Sequence, residues 1–298
     1  MELLRSRRSQ ARVGLAGTAI RWFNATARDL PWRRPGTSPW GVLVSEVMLQ
    51  QTPVARVVPV WTAWLDRWPV PASLAGAPAG DAVRAWGRLG YPRRALRLHA
   101  TASALVTRHG GEVPADLTAL SALPGIGAYT ARAVAAFAFG QRQPVVDTNV
   151  RRLVARAVRG QADGGPATTA ADLVAVEALL PTDRDGAARA SAAFMELGAL
   201  VCTARAPACG LCPLRRRCRW HLAGRPAGPG PRRTQRYAGT DRQVRGLLLA
   251  VAREAPGPVS RRALDMVWPD AEQRQRALDG LLTDGLVVRV GRGRYALP

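Results

Sequence analysis

Apolar residues recur at three- and four-residue spacing along most of the first 220 positions of this chain. The stretches PVARVVPVWTAWLDRW (53–68), AVRAWGRL (82–89), RALRLHATASALVTRHG (94–110) and AADLVAVEALLP (170–181) each place one apolar face on a helix. Proline and glycine punctuate them at Pro69, Pro71, Pro78, Gly110–Gly111 and Gly164–Gly165–Pro166. Strict alternation, the mark of a half-buried strand, is almost absent here. The pattern predicts an all-α domain of about ten helices spanning 1–220, with Trp61, Trp64, Trp68 and Trp86 in its core.

The pattern then changes. Residues 221–240, HLAGRPAGPGPRRTQRYAGT, are rich in Gly, Pro and Arg and read as an exposed linker. Beyond it, 241–255, 260–268 and 271–285 read as three helices, and LVVRV-GRG-RYALP as two short strands about a glycine turn. Three helices and a hairpin over 241–298 is the order of a winged-helix module, an order that other small three-helix domains share.

Composition narrows the partner. The 298-residue chain carries a formal net charge of +22, and every basic side chain apart from three histidines is arginine, since it contains no lysine. Genomic bias can explain arginine over lysine, but not basic residues outnumbering acidic ones two to one. The excess points to a polyanion bound with release of counterions, nucleic acid before an anionic membrane surface. No apolar run approaches the roughly 18–20 residues of a membrane span. The N-terminal MELLRSRRSQARVGLAGTAIRW is read as a flexible basic arm leading into a helix, not a signal peptide.

All four cysteines fall within seventeen residues, as C-x6-C-x2-C-x5-C through Cys202, Cys209, Cys212 and Cys218. A secreted disulfide framework spreads its cysteines to close long loops, so the clustering predicts a metal site in a reducing cytoplasm. Thiolates arriving one at a time around a loop suit a [4Fe-4S] cluster. Structural zinc more often takes two C-x2-C pairs, and zinc or unliganded thiols remain as alternatives. Arg215, Arg216, Arg217 and Arg219 suggest that the loop faces phosphate.

Two carboxylates stand out. Glu46 interrupts the apolar run WGVLVSEVMLQQT (40–52), where desolvation would raise its pKa and suit it to act as an acid; a polar stripe shared with Ser45 is the plainer alternative. Asp147, in PVVDTNVRRLVARAV, precedes a helical run and is equally placed to serve as an N-cap. LPGIGAYTARA (123–133) sets Gly125 and Gly127 before another helix, a weak phosphate-binding pattern by itself.

Taken in order, SEVMLQQT, LPGIGAYTA, VVDTNV and the cysteine loop resemble the helix-hairpin-helix DNA glycosylases that carry an iron–sulfur cluster, over roughly residues 20–220. Within them the chain looks most like the A/G-specific adenine DNA glycosylase family of the MutY type, which RDLPWR (28–33), LGY (89–91) and MELGALVC (195–202) also match. That resemblance implies base excision from double-stranded DNA with mismatched or oxidised base pairs, by a monomer. It implies Glu46 as the acid that protonates adenine and Asp147 as the stabiliser of the sugar cation, with Tyr129 and Asn149 around that aspartate and the substrate. It places Gln50, Gln51, Leu89 and Tyr91 in loops that wedge into the duplex, and Trp32, Arg33 and Leu49 around the base. It makes Pro124, Gly125 and Gly127 the hairpin that grips a backbone phosphate. Tyr129 stands where a related lyase needs lysine, which implies a monofunctional enzyme.

Two departures qualify the match. The family usually ends in a larger domain, related to nucleotide hydrolases, that reads 8-oxoguanine; the roughly 60 residues after the linker are too few for it. Ala192 stands where a polar residue near the base is expected. The same scaffold acting on thymine or an oxidised pyrimidine, and a non-catalytic DNA-binding iron–sulfur protein, are the competing expectations.

Overall fold

The protein is described as a computed structural model over residues 2–228 and 237–298, with side chains from residue 14 onward. Residues 229–236, inside the expected linker, lie outside the described residues. The described chain is mainly helical, as the periodicity predicts. Twelve α-helices precede Ala223 among the described residues; the count exceeds ten because Pro71–Ala75, Leu117–Ser121 and Arg219–Leu222 are too short to show a period. The first helix runs Glu2–Thr26, so the basic segment expected to be a flexible arm is helical instead.

Residue contacts divide the chain into two units. The first comprises Met1–Val42, Ala115–Ser121 and Gly127–Pro231. Its core is built on the helices Glu2–Thr26 and Arg184–Leu200, where Leu15, Ala16, Ala19, Ala187, Ala190, Phe194 and Leu197 are buried together. The helix Thr148–Val154 adds Val150, Leu153 and Val154 to that cluster and continues into a π-helical turn, Ala155–Arg159. Small residues on the long helices allow close approach. Gly198 is the extreme case, since a Cβ there would lie 2.7 Å from the Asn149 carbonyl oxygen.

The second unit comprises Leu43–Pro114, Ala122–Ile126 and Arg232–Pro298. Trp64 meets Trp68 and Trp86 edge to face, with ring centroids 4.7 and 5.8 Å apart, and all three are buried as the sequence predicts. At its C-terminal end the helices Asp241–Glu254 and Ala271–Thr283 bury Val244, Leu248, Ala277, Leu278 and Leu281. Three strands accompany them, β1 (Val259–Ser260), β2 (Val288–Gly291) and β3 (Arg294–Ala296), in the antiparallel order β1-β3-β2. The sequence predicts only the β2–β3 hairpin; two residues of β1 are too few for alternation to register.

The helices Leu117–Ser121 and Ala128–Phe139 flank a tight turn. Gly125 has φ +76°, and a Cβ there would lie 2.8 Å from Arg97 Cβ, so both conformation and space require glycine. Thr101 Oγ1 donates a 2.7 Å hydrogen bond to the Pro124 carbonyl and anchors the turn to the Arg93–His109 helix.

Candidate active site and metal centre

Glu46 lies on the Pro39–Leu49 helix, which is buried almost all round: Val42, Leu43, Val44, Ser45, Val47 and Met48 are all inaccessible. Only 5% of Glu46 is exposed, so it belongs to a buried segment and not to a solvated polar stripe. Leu49 and Gln50, at the end of the helix, are half-buried.

The helix end is closed by a side chain from elsewhere. Arg94 Nη1 donates to the carbonyls of Val47, Met48 and Gln50 at 2.8, 3.0 and 2.7 Å, while Nη2 reaches Thr52 Oγ1 at 2.9 Å and the Gly90 carbonyl at 3.0 Å. One guanidinium therefore satisfies the orphan carbonyls of a helix C-terminus and ties the 50–52 turn to the 89–91 turn. Burial pulls Arg94 down to about 10, which leaves it charged at neutral pH. Both turns hold a non-glycine residue in the left-handed region, Gln51 at φ +57° and Tyr91 at φ +48°, and both side chains are exposed. Leu89 behaves differently. Its side chain is only 4% exposed, and its carbonyl accepts from Thr52 Oγ1 at 3.2 Å.

In the other unit, Asp147 caps the Thr148–Val154 helix and accepts from the Val150 backbone N–H at 2.7 Å. Its second oxygen accepts from Asn149 Nδ2 at 2.8 Å. Asn149 Oδ1 in turn accepts from Arg152 Nη2 at 2.8 Å, and Arg152 also binds the carbonyls of Gly198 and Cys202, each at 2.7 Å. Burial raises the Asp147 carboxyl above its usual value, and the Val150 and Asn149 donors and the Arg152 charge work against that rise. One oxygen thus caps the helix while the other meets an oriented amide. Tyr129 is half-buried on the neighbouring Ala128–Phe139 helix, against Ala133, Ala136 and Val145. Pro124 and Gly125 sit in the turn before it, and Gly127 is the exposed residue at the start of its helix.

Trp32 is buried within a 3-10 turn, Pro31–Arg33. Arg33 beside it has a partner that the pattern does not reveal. Its Nη2 donates at 3.0 Å to Glu196, which also takes a bidentate pair of bonds from Arg28 at 2.7 and 2.8 Å. Burial alone would push the Glu196 carboxyl up; the Arg28 and Arg33 hydrogen bonds overcome it and hold the group at about 2. Arg33 Nη1 is buried with no hydrogen-bond acceptor among the described residues. Glu196 escapes prediction because its signal lies in a pairing across 168 positions. The only local hint is a glutamate in the otherwise apolar FMELGALV.

Cys202, Cys209, Cys212 and Cys218 line one small cavity together with Leu153, Val201, Leu214 and Trp220. Among the described residues no three His, Cys, Asp or Glu side chains are disposed to hold a single metal ion; the four thiols are spread around the cavity wall. The wall provides for anionic sulfur. Arg156 Nη1 lies 3.4 Å from Cys202 Sγ, and backbone N–H groups of Leu214, Trp220 and His221 reach Cys212 and Cys218. Burial pushes the Cys212 thiol up to about 11, with the neighbouring cysteines adding to the rise, and burial raises Cys218 as well. A polynuclear cationic group that shares four thiolates fits this donor set.

Comparison with known proteins gives these features a family. The chain is 58% identical over 279 residues to the adenine DNA glycosylase of Mycolicibacterium smegmatis, covering 93% of this chain and 94% of that protein. It belongs to the adenine DNA glycosylase family. The adenine DNA glycosylase of Mycobacterium tuberculosis is 57% identical over 281 residues, covering 94% of this chain and 92% of that protein. Residues 44–176 match the HhH-GPD superfamily of base excision DNA repair proteins, a span that holds Glu46, the Gly125 turn and Asp147. Among solved structures, a thermostable thymine-DNA glycosylase superposes with a TM-score of 0.65 at 25% identity, covering 72% of this chain and 98% of that one. The similarity to the mycobacterial adenine DNA glycosylases extends over nearly their whole length, so the short C-terminal segment is shared with them.

Proposed function

We propose that the protein excises adenine from duplex DNA in base excision repair, as a monofunctional glycosylase acting where adenine faces 8-oxoguanine or guanine. Membership of the adenine DNA glycosylase family carries this reading. The buried Glu46 and the oriented Asp147 supply the chemistry it needs.

Adenine leaves C1′ only if its ring takes a proton as the bond breaks, and water must then add to C1′. Glu46, buried on the Pro39–Leu49 helix, is the acid that delivers the proton and afterwards orients the water. Asp147, oriented by the bonds from Val150 and Asn149, is the carboxylate that offsets the positive charge that develops on the sugar. Tyr129 borders the same step. The base must first leave the stack, at a cost of a few kcal/mol. The turns bearing Gln50, Gln51, Leu89 and Tyr91 fill the gap, with Leu89 supporting the turn from within. The family resemblance assigns Trp32, Arg33 and Leu49 to the everted adenine. The Pro124–Gly127 hairpin holds a backbone phosphate through its N–H groups.

Cys202, Cys209, Cys212 and Cys218 would hold a [4Fe-4S] cluster, which fixes the shape of the 202–218 loop. A lyase step is absent from this scheme because the chain has no lysine to form an imine and carries Tyr129 after the hairpin. Residues 1–220 act as the glycosylase domain and 241–298 as a winged-helix-like module, in a cytoplasmic monomer associated with the nucleoid. The test is base release from duplexes carrying A opposite 8-oxoguanine, A opposite G and T opposite G. Adenine is expected from the first two; release of thymine alone overturns the proposal. Glu46→Gln and Asp147→Asn are each expected to slow release by at least about 100-fold.

A further inference from the structure

The Tyr91 ring does not stand alone at the tip of its turn. The Arg94 guanidinium lies 5.6 Å from the ring centroid and also sits 5.0 Å over Trp86. Arg242, from the first helix of the C-terminal module, lies 5.3 Å from the Tyr91 centroid and 5.7 Å from that of Tyr237. Rings and guanidiniums therefore alternate as Trp86, Arg94, Tyr91, Arg242, Tyr237. The inner end is buried and the outer end is open: Tyr91 is 46% and Tyr237 53% exposed, and Arg242 is exposed between them.

The module is fastened around this row. Arg253 donates to the Gly87 carbonyl, and Arg84 donates to the carbonyls of Arg253 and Ala255. Arg93, two residues beyond Tyr91, pairs with Asp284 at 3.1 Å. The Gly80 N–H donates to the Pro298 carbonyl at 2.6 Å, so close that a Cβ on Gly80 would meet that oxygen at 2.5 Å. These bonds hold the module to the segment that presents Tyr91.

Two exposed tyrosines flanking a guanidinium make a stacking surface with a phosphate donor at its centre, the chemistry that binds unstacked or splayed nucleotides. We propose that Tyr91, Arg242 and Tyr237 form one surface that holds the DNA strand opposite the everted adenine, so that the C-terminal module is part of the substrate site. This rests on the glycosylase reading given above, through the placement of Tyr91 at the opened base pair.

The test uses the full chain bound to a duplex with a non-cleavable adenine analogue opposite 8-oxoguanine. 5-Iodouracil replaces thymine within three nucleotides of the 8-oxoguanine, or at equivalent positions of the adenine strand. Irradiation and tryptic mapping are expected to place an opposite-strand cross-link on Tyr237, in the peptide Tyr237–Arg242. Arg242→Ala and Tyr237→Ala are each expected to raise the Kd for this duplex by about 5- to 10-fold. Arg242→Lys is expected to recover only part of the loss. Cross-links that never reach residues 237–298, or that reach them only from the adenine strand, overturn the proposal, as do unchanged Kd values. Wild-type adenine release with no such cross-link sinks this inference alone; failure to release adenine sinks the reading beneath it.

Discussion

Arg152 donates a 2.8 Å hydrogen bond to the amide oxygen of Asn149, which turns the Asn149 amide nitrogen toward Asp147. The same guanidinium grips the Cys202 carbonyl at 2.7 Å. Asp147 is thereby oriented from the loop that carries the cysteines, and Gly198 permits the close approach that this requires. Arg152→Gln is expected to slow adenine release about 10- to 100-fold in single-turnover assays while leaving duplex affinity within a few-fold. Asn149→Ala should give a similar loss. Wild-type rates in both variants would show that the carboxylate needs neither.

Glu196 gives a stability prediction with a defined sign. Its carboxyl is held at about 2 in the fold against an ordinary 4.5, so the fold gains stability above pH 4.5. That gain, about 2–3 kcal/mol, is lost as pH falls from about 4.5 through about 2. Glu196→Gln should flatten the acid side of the stability curve, measured by urea denaturation. At neutral pH it should cost about 3–5 kcal/mol, because the Arg28 and Arg33 charges lose their partner.

Arg94 serves five acceptors in two turns and at a helix end. Lysine keeps the charge but has no planar fork, so Arg94→Lys is expected to destabilise the protein by about 2–4 kcal/mol. Hydrogen exchange should rise in residues 50–52 and 89–91 before it rises elsewhere. Uniform exchange would show that the two turns do not depend on this side chain.

Gly125→Ala combines φ +76° with a 2.8 Å approach to Arg97 Cβ. The expected cost is about 1–3 kcal/mol of stability. Affinity for duplex DNA should fall by a similar factor whatever base opposes the adenine, since a hairpin that holds phosphate carries no sequence information.

The sequence makes legible whatever depends on neighbours along the chain. The four cysteines, the LPGIGAYTA turn, the buried SEVML run and the tryptophan core follow from local spacing and apolar period. Pairings made across the fold leave no such trace. Glu196 reads as one residue of an apolar helix, and its two arginines lie more than 160 positions away. Arg94 is one of 43 basic residues, and Arg242 lies in a helix whose surface is rich in charge. Their roles depend on carbonyls and rings brought to them by tertiary structure. Leu89 shows the same limit: the motif places it in the 89–91 turn but does not reveal that its side chain is buried and its carbonyl accepts from Thr52.

Because one guanidinium closes both the 50–52 and 89–91 turns, Gln51 and Tyr91 are placed as a pair before any duplex arrives. The freedom those residues would otherwise surrender on meeting their target has already been given up during folding. On the proposed reading such an edge presses on each base pair at little entropic cost, which suits a molecule that must test a great many sound pairs for every faulty one.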